Sequence, residues 1–399
     1  MPVSLILHHG LEPLLHHLHR RRVATLLDAV ASCLSGPRLS LTELGRRFAG
    51  GARLRHKIKR SDRLLGNRQL QQEAKSTYAA LCRVTLARLS EPLILIDWSD
   101  LKADQSLHLL RASLPVGGRS LTLYEEVHPQ QQLGNWVVQQ RFLGRLAQLL
   151  PACVAPIIIA DAGFKVPFYQ EVERLGWRWV GRVRGRDYLR LNQRWVSCQT
   201  LFKRATNKPT TLGEGDWVRS NPLRARLVLV RLAEKGRWGH TAFGKRSRSK
   251  ASTHNARSAK EPWLLVACTR LANLPAKQLV RWYRQRMQIE ESFRDMKSQQ
   301  FGEGLECSRS RGVGRFTVLV LIASLAAFVL WLRGTAAQRR GLERWLHPGN
   351  GKRRVYSRLF LARLLVVLES CREVLNELVG MIGPPDHWVA DAHEALLAD

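Results

Sequence analysis

Three acids stand out for the residues around them. Asp97 ends the apolar run Leu93-Ile-Leu-Ile, and Asp161 follows Ala155-Pro-Ile-Ile-Ile-Ala160. Glu290 lies in the stretch Arg281-Trp-Tyr-Arg-Gln-Arg-Met-Gln-Ile-Glu-Glu-Ser-Phe-Arg-Asp-Met-Lys297, among bases and aromatics. Taken singly, an Asp at the end of a strand is more often a turn or cap residue. As a set, three carboxylates with no buried base in their own segments repel one another unless cations neutralise them. Ligands that are all oxygen suit Mg²⁺ or Mn²⁺. The chemistry open to them is two-metal phosphoryl transfer. One ion activates a water or a 3′-hydroxyl and the other stabilises the leaving oxygen, at a separation of roughly 3.5 to 4 Å.

The Arg281–Lys297 stretch reads as one long helix. Tyr283, Arg286, Glu290 and Lys297 sit at offsets 0, 3, 7 and 14, so at about 100° per residue they form a single stripe. A mixed stripe of this kind could also be salt-bridge decoration of a solvated face. Spacing selects Glu290 over its neighbour Glu291, which would lie about 100° off the stripe. Asp100 reads as a residue behind Asp97 or on the surface.

These residues need a scaffold, and composition bounds what it is. The chain has 399 residues, enough for two or three domains, and its apolar fraction of 45% is that of a folded protein. Charge is the unusual quantity: 64 Lys and Arg against 32 Asp and Glu give +32, with a pI near 11.1. Such an excess favours a polyanionic partner, most simply nucleic acid. It names the partner class and leaves the activity open. The seven cysteines are dispersed and form no CxxC, which argues against a disulfide framework or a structural zinc site and for a reducing cytoplasm. The N-terminus lacks the pattern of a signal peptide. Phe316 to Leu332 carries no charge over 17 residues. That is at the short end for a bilayer crossing, and we expect a helix buried on all sides rather than a membrane span.

Along the chain, residues 1–88 read as a helical DNA-binding domain. Leu11 to Leu34 is periodic and stops at Ser35-Gly36-Pro37. Ser40 with Glu43 makes a capping-box pattern. The bases between Arg53 and Arg63 read as a basic turn between short helices, as in a helix-turn-helix DNA reader, or as a solvated basic loop. From Leu93 the pattern becomes strands: Leu93–Ser99, Ser106–Leu114 and Leu121–Val127, then a helix over Asn135–Leu150. A strand to Ala160, a helix over Val166–Leu175 and a strand over Trp177–Val183 follow. This order describes a mixed α/β sheet of the ribonuclease H type. We therefore expect a core at 89–184 and 263–340, the latter with the catalytic helix. A β-rich insertion is expected at 185–262, with a flexible basic loop over Lys245–Lys260, and a helical region at 341–399.

Ile96-Asp97-Trp98-Ser99-Asp100, Ala160-Asp161-Ala162-Gly163-Phe164 and Tyr283-x2-Arg286-x3-Glu290-x6-Lys297 resemble the three acidic-motif regions of the insertion-sequence-four family of bacterial DDE transposases, and within it the branch typified by the transposase of transposon ten. The resemblance covers essentially the whole chain and is least specific at residues 1–85 and 341–399. It implies that Asp97, Asp161 and Glu290 are the catalytic, metal-binding triad, holding two Mg²⁺ ions for which Mn²⁺ can substitute. It implies that Tyr283, Arg286 and Lys297 hold phosphates of the transposon end. Trp263 and Met287 stand where the family receives or supports a base flipped out during hairpin formation; core packing is the other reading for both. The implied activity is cut-and-paste transposition: nicking, hairpin formation and opening, and strand transfer. The implied partners are double-stranded DNA, as terminal inverted repeats and target, and a second copy of the chain. The implied location is the bacterial cytoplasm, without a membrane. A ribonuclease H-type structure-specific nuclease and a non-catalytic DNA-binding repressor are the rival readings.

Overall fold

The computed structural model describes residues 7–398 except 8, 37, 186, 233–244, 251, 254–255, 257–259, 300–301, 347–348, 350–354 and 369–385. They form two compact units, Met1–Val154 with Met287–Asp399, and Ala155–Arg286.

The first unit opens with helices α1 (Arg20–Ser35), α2 (Leu41–Arg46), α3 (Leu54–Leu65) and α4 (Arg68–Thr85). In α1, Val23, Leu26, Leu27, Val30 and Leu34 are buried, one apolar face at helical spacing. Ser40 caps α2, its Oγ accepting from Glu43 N at 3.4 Å, while the Glu43 carboxylate pairs with Arg46. The basic stretch is α3, not a turn. Ser61, Leu64 and Leu65 are buried and fall three and four residues apart, which gives the helix an inner face and leaves its bases on the outside.

Strands β1 (Leu93–Asp100), β2 (Leu107–Pro115) and β3 (Ser120–Pro129) form an antiparallel meander in the order β3-β2-β1. Asp97 stands opposite Arg111, which stands opposite Glu125. Residues directly opposite share a face, so these three line one side of the meander. Arg111 is spent on Glu125, with Nε to Oε2 at 2.7 Å, and Glu125 also accepts from Tyr78 and Ser324, each at 2.7 Å. A buried charge is tolerable only when paired and hydrogen-bonded in this way. Helix α5 (Trp136–Leu149) follows, capped by Asn135 Oδ1 accepting from Val137 N at 2.9 Å.

The second unit holds β4 (Ile157–Ala160), α6 (Val166–Arg174), β5 (Arg178–Val183), β6 (Tyr188–Leu191), β7 (Arg194–Ser197), α7 (Cys198–Phe202), β8 (Thr210–Trp217), β9 (Leu223–Val230), β10 (Trp263–Ala267) and α8 (Ala276–Arg284). Its strands run β4-β5-β10-β9-β8-β6-β7. β4 and β5 are parallel, joined through α6, and the other pairs are antiparallel. The region expected to be β-rich supplies β6 to β9. The loop expected over Lys245–Lys260 lies partly outside the described residues; Lys250, Ser252, Thr253 and Ala256 within it are helical.

The chain then returns to the first unit with α9 (Met287–Lys297), which packs across β1, β2 and β3. Helix α10 (Val313–Arg339) follows, then α11 (Leu342–Trp345), α12 (Arg358–Leu368) and α13 (Asp386–Ala398). Among the described residues α10 is the one helix long and apolar enough to cross a membrane. It is packed inside the unit against α1, α3, α4, β3, α12 and α13, and its residues from Val318 to Ala326 are all buried.

Arg281–Lys297 is two helices: the chain tightens at Gln285 and Arg286, whose amides bond Trp282 O at 3.0 Å and Tyr283 O at 3.1 Å, three residues back rather than four. The break coincides with the boundary between the units. The 100° rule therefore does not carry one stripe across it: Tyr283 and Arg286 belong to the second unit, Glu290 and Lys297 to the first.

Candidate active site

In the first unit, Asp97 is buried near the end of β1, and its Oδ1 accepts from the Trp98 amide at 2.8 Å. Ser99 lies two residues on, hence on the same face of the strand. Its hydroxyl oxygen accepts from Lys297 Nζ at 3.0 Å. The last turn of α9 is thereby fixed to the strand and face that carry Asp97. Burial lowers the Lys297 pKa, with Arg111 acting in the same sense, while Asp100 and Glu306 oppose.

Glu290 sits in the first turn of α9 and is half-buried. Glu291 pairs with Arg294 and lies 3.9 Å from Arg119. Asp100 is a surface residue whose Oδ1 meets His108 Nδ1 at 2.9 Å.

In the second unit, Asp161 follows β4. Its Oδ1 accepts from Gly163 N at 2.7 Å, and a Cβ at Gly163 would stand 2.9 Å from that oxygen. Glycine is what lets the turn close on the carboxylate. Tyr169 reaches back from α6, with its hydroxyl 3.4 Å from Asp161 O. Its phenol is pushed well above the ordinary tyrosine value by burial, then by Tyr283 and Asp161. Gly181 on β5 makes room for that hydroxyl, because a Cβ there would overlap it.

Tyr283 is buried against Trp263, the two rings meeting edge to face at 5.0 Å. The Arg182 guanidinium lies 5.5 Å from the Trp263 ring centre, and that of Arg286 lies 5.9 Å from Tyr283. Burial pushes Arg182 down to about 10, with Arg184 and Arg286 adding repulsion. Its Nε is buried and has no hydrogen-bond partner among the described residues.

The structure thus gathers two clusters, Asp97–Ser99–Lys297 with Glu290 on the same helix, and Asp161–Tyr169–Tyr283 with Trp263, Arg182 and Arg286. Met287 opens α9, half-buried. Among the described residues no group of three or more His, Cys, Asp or Glu side chains stands close enough together to hold a metal. The chemistry of the donors nevertheless fits a hard divalent cation: the candidates are all carboxylates, and in Asp97 and Asp161 one oxygen is already steadied by a backbone N–H.

Sequence reasoning missed Ser99, Tyr169 and Arg182. Ser99 carried a usable signal, being two residues beyond an acid on a strand. Arg182, one of two bases with Arg178 in the strand Arg178–Val183, carried a weaker one.

A family model for the transposase DDE domain matches residues 88–328, more than half of the chain, and no curated protein matches. The domain is that of metal-dependent polynucleotidyl transferases, which act on DNA and use divalent ions. The mixed α/β architecture is that of a ribonuclease H-like core with helical flanks. The match runs through both strands leading to Asp97 and Asp161 and through the helix bearing Glu290, and the chain belongs to the transposase DDE domain family.

Proposed function

We propose that this protein is a cut-and-paste DNA transposase of the insertion-sequence-four type, nearest the transposon-ten branch. Asp97, Asp161 and Glu290 are its metal ligands, for two Mg²⁺ ions with Mn²⁺ as a substitute. Bound there, such ions supply activation of water or a 3′-hydroxyl and stabilisation of the leaving oxygen. The observation that carries the reading is the bond from Lys297 to Ser99. It ties the helix bearing Glu290 to the strand and face bearing Asp97, so one rigid element supplies an acid and a phosphate-binding ammonium together.

Lys297 and Arg286 hold phosphates of the transposon end by charge, and Tyr283 holds one through a hydrogen bond from its phenol. Trp263, flanked by Tyr283 and Arg182, receives the flipped base, and Met287 is a second candidate to support it. The N-terminal helices, α3 above all, bind the terminal inverted repeats through their bases. The protein works as a homodimer on paired ends, in the bacterial cytoplasm.

The test is incubation with the gene's own flanking ends and Mg²⁺. Wild type is expected to yield hairpin-ended and then target-joined DNA. Asp97→Ala, Asp161→Ala and Glu290→Ala are each expected to bind ends and cut none, and chelation of the metal should reproduce that loss. Cleavage without any joined product would assign the protein to the simple nucleases instead. Cleavage at wild-type rate by any one variant removes that residue from the ligand set.

A further inference from the structure

The first unit contains a cavity of about 60 Å³ lined by Arg119, Arg294, Asp295, Phe360 and Arg363. That is several times the roughly 10–15 Å³ that admits one water, and it has room for a tetrahedral oxyanion. Three chain segments build it. The β2–β3 turn supplies Arg119, α9 supplies Arg294 and Asp295, and α12 supplies Phe360 and Arg363, which fall three residues apart on one helix face.

The frame is fixed. Val116 N donates to Gln288 Oε1 at 3.0 Å, Ser120 N to Ser292 Oγ at 2.8 Å, and Arg358 Nη1 to Val116 O at 3.2 Å. Together these bonds hold the turn, α9 and α12. Arg119 is clamped by Asp295, with Nε to Oδ2 at 2.5 Å and Nη2 to Oδ1 at 3.4 Å.

The lining carries three guanidiniums against one carboxylate. Arg119 is matched by Asp295, and Arg294 pairs with Glu291. Arg363 has Glu303 at 3.4 Å, a carboxyl that burial pushes up to about 8, against the pull of Arg363. A guanidinium offers a planar fork that matches a phosphate in bidentate fashion. Arg294 lies four residues beyond Glu290 on the same helix, about 6 Å along the axis.

We propose that this cavity seats a phosphate of the DNA backbone, gripped by Arg294 and Arg363 above the Arg119–Asp295 pair, one helical turn from Glu290. The phosphate held there belongs to a nucleotide near the reacting one. The inference rests on the protein's action on DNA, and deepens it by adding a contact outside the acid-bearing clusters.

The test measures duplex-DNA affinity against salt for wild type, Arg294→Ala, Arg294→Lys and Arg363→Ala, with melting temperature as the check on folding. Loss of one phosphate contact is expected to weaken binding several-fold and to reduce the slope of log affinity on log salt by about one. Arg294→Ala should show both effects and Arg294→Lys should retain most of the slope. Arg294 is exposed on its helix, so its variants carry the test even where Arg363→Ala folds poorly. Inorganic phosphate forms a second arm: it should raise the melting temperature of wild type more than that of Arg294→Ala. A slope unchanged in Arg294→Ala overturns the proposal. An unchanged slope together with selective stabilisation by inorganic phosphate would make the cavity a free-phosphate site and overturn the DNA assignment. If wild type shows no salt-dependent DNA binding at all, the functional reading fails and this seat fails with it.

Discussion

The two halves of the Arg281–Lys297 stretch handle positive charge in different ways. On α9, the Lys297 ammonium is fixed by the Ser99 hydroxyl at 3.0 Å, and Asp100 offsets part of the penalty of its burial. Around the end of α8, Arg286 lies against the Tyr283 ring, and Arg182, pushed down to about 10 by burial, lies against Trp263. A compact ammonium held by a hydroxyl acts as a point charge for one phosphate. Guanidiniums spread over aromatic faces make a surface on which a base can stack. What the sequence presents as one stripe is therefore two arrangements, and on the function proposed above one places a phosphate and the other receives a displaced nucleotide.

The sharpest way to break that distinction compares Glu290→Gln with Lys297→Ala. Glu290→Gln keeps the shape and removes the charge of a proposed metal ligand; it is expected to lose strand cleavage by at least about 10³-fold while retaining end binding. If Lys297 holds a phosphate of the reacting strand as proposed, Lys297→Ala is expected to lose about 10²-fold in rate, along with stability of the end complex. Single-turnover cleavage on pre-bound ends separates the two. Equal losses in rate and in binding for both variants would mean that the roles along α9 are not divided.

The second device should respond to a smaller change at a different step. Trp263→Ala removes a stacking face worth about 1–3 kcal/mol, a 10- to 100-fold slowing of hairpin formation, with first-strand nicking close to wild type. Trp263→Phe should recover most of the loss, since a ring is retained. Nicking and hairpin formation slowed in parallel by Trp263→Ala would reduce the indole to core packing against Tyr283.

How far the sequence revealed this arrangement depends on the kind of signal each part left. Strands β1 to β5 and helices α5 and α6 were legible because alternation, apolar runs and caps are local properties, as with Asn135 before α5 or Ser40 before α2. The burial of α10 was legible because no face of it is polar. The break at Gln285–Arg286 was not: nothing there is a glycine or a proline, and the turn tightens by trading bonds four residues back for bonds three back, which leaves no mark in composition. The helical state of α3 was hidden by its density of bases, since the residues that bury it are few. Asp97 and Asp161 were visible through their apolar flanks, and Glu290 through the bases and aromatics around it. Ser99, Tyr169 and Arg182 owe their roles to contacts with residues far away in sequence, and spacing alone does not encode those partners.

The smallest expected effect tests how much of the Lys297 device is its immediate surroundings. Asp100 favours the charged ammonium, but its side chain is 51% exposed and its field is screened by water and salt. Asp100→Asn removes a charge that raises the Lys297 pKa, so that pKa moves further below the ordinary lysine value, not back towards it. The ammonium is the form that grips phosphate. Activity at neutral pH should therefore change by less than about threefold, while the alkaline limb of the pH–rate profile shifts to lower pH. Measuring cleavage of pre-formed end complexes between neutral and alkaline pH checks the direction. An alkaline limb that moves up, or one that stays fixed in Asp100→Asn and vanishes in Lys297→Arg, would show that Ser99 alone sets the behaviour of the ammonium and that the carboxylate beside it is only surface.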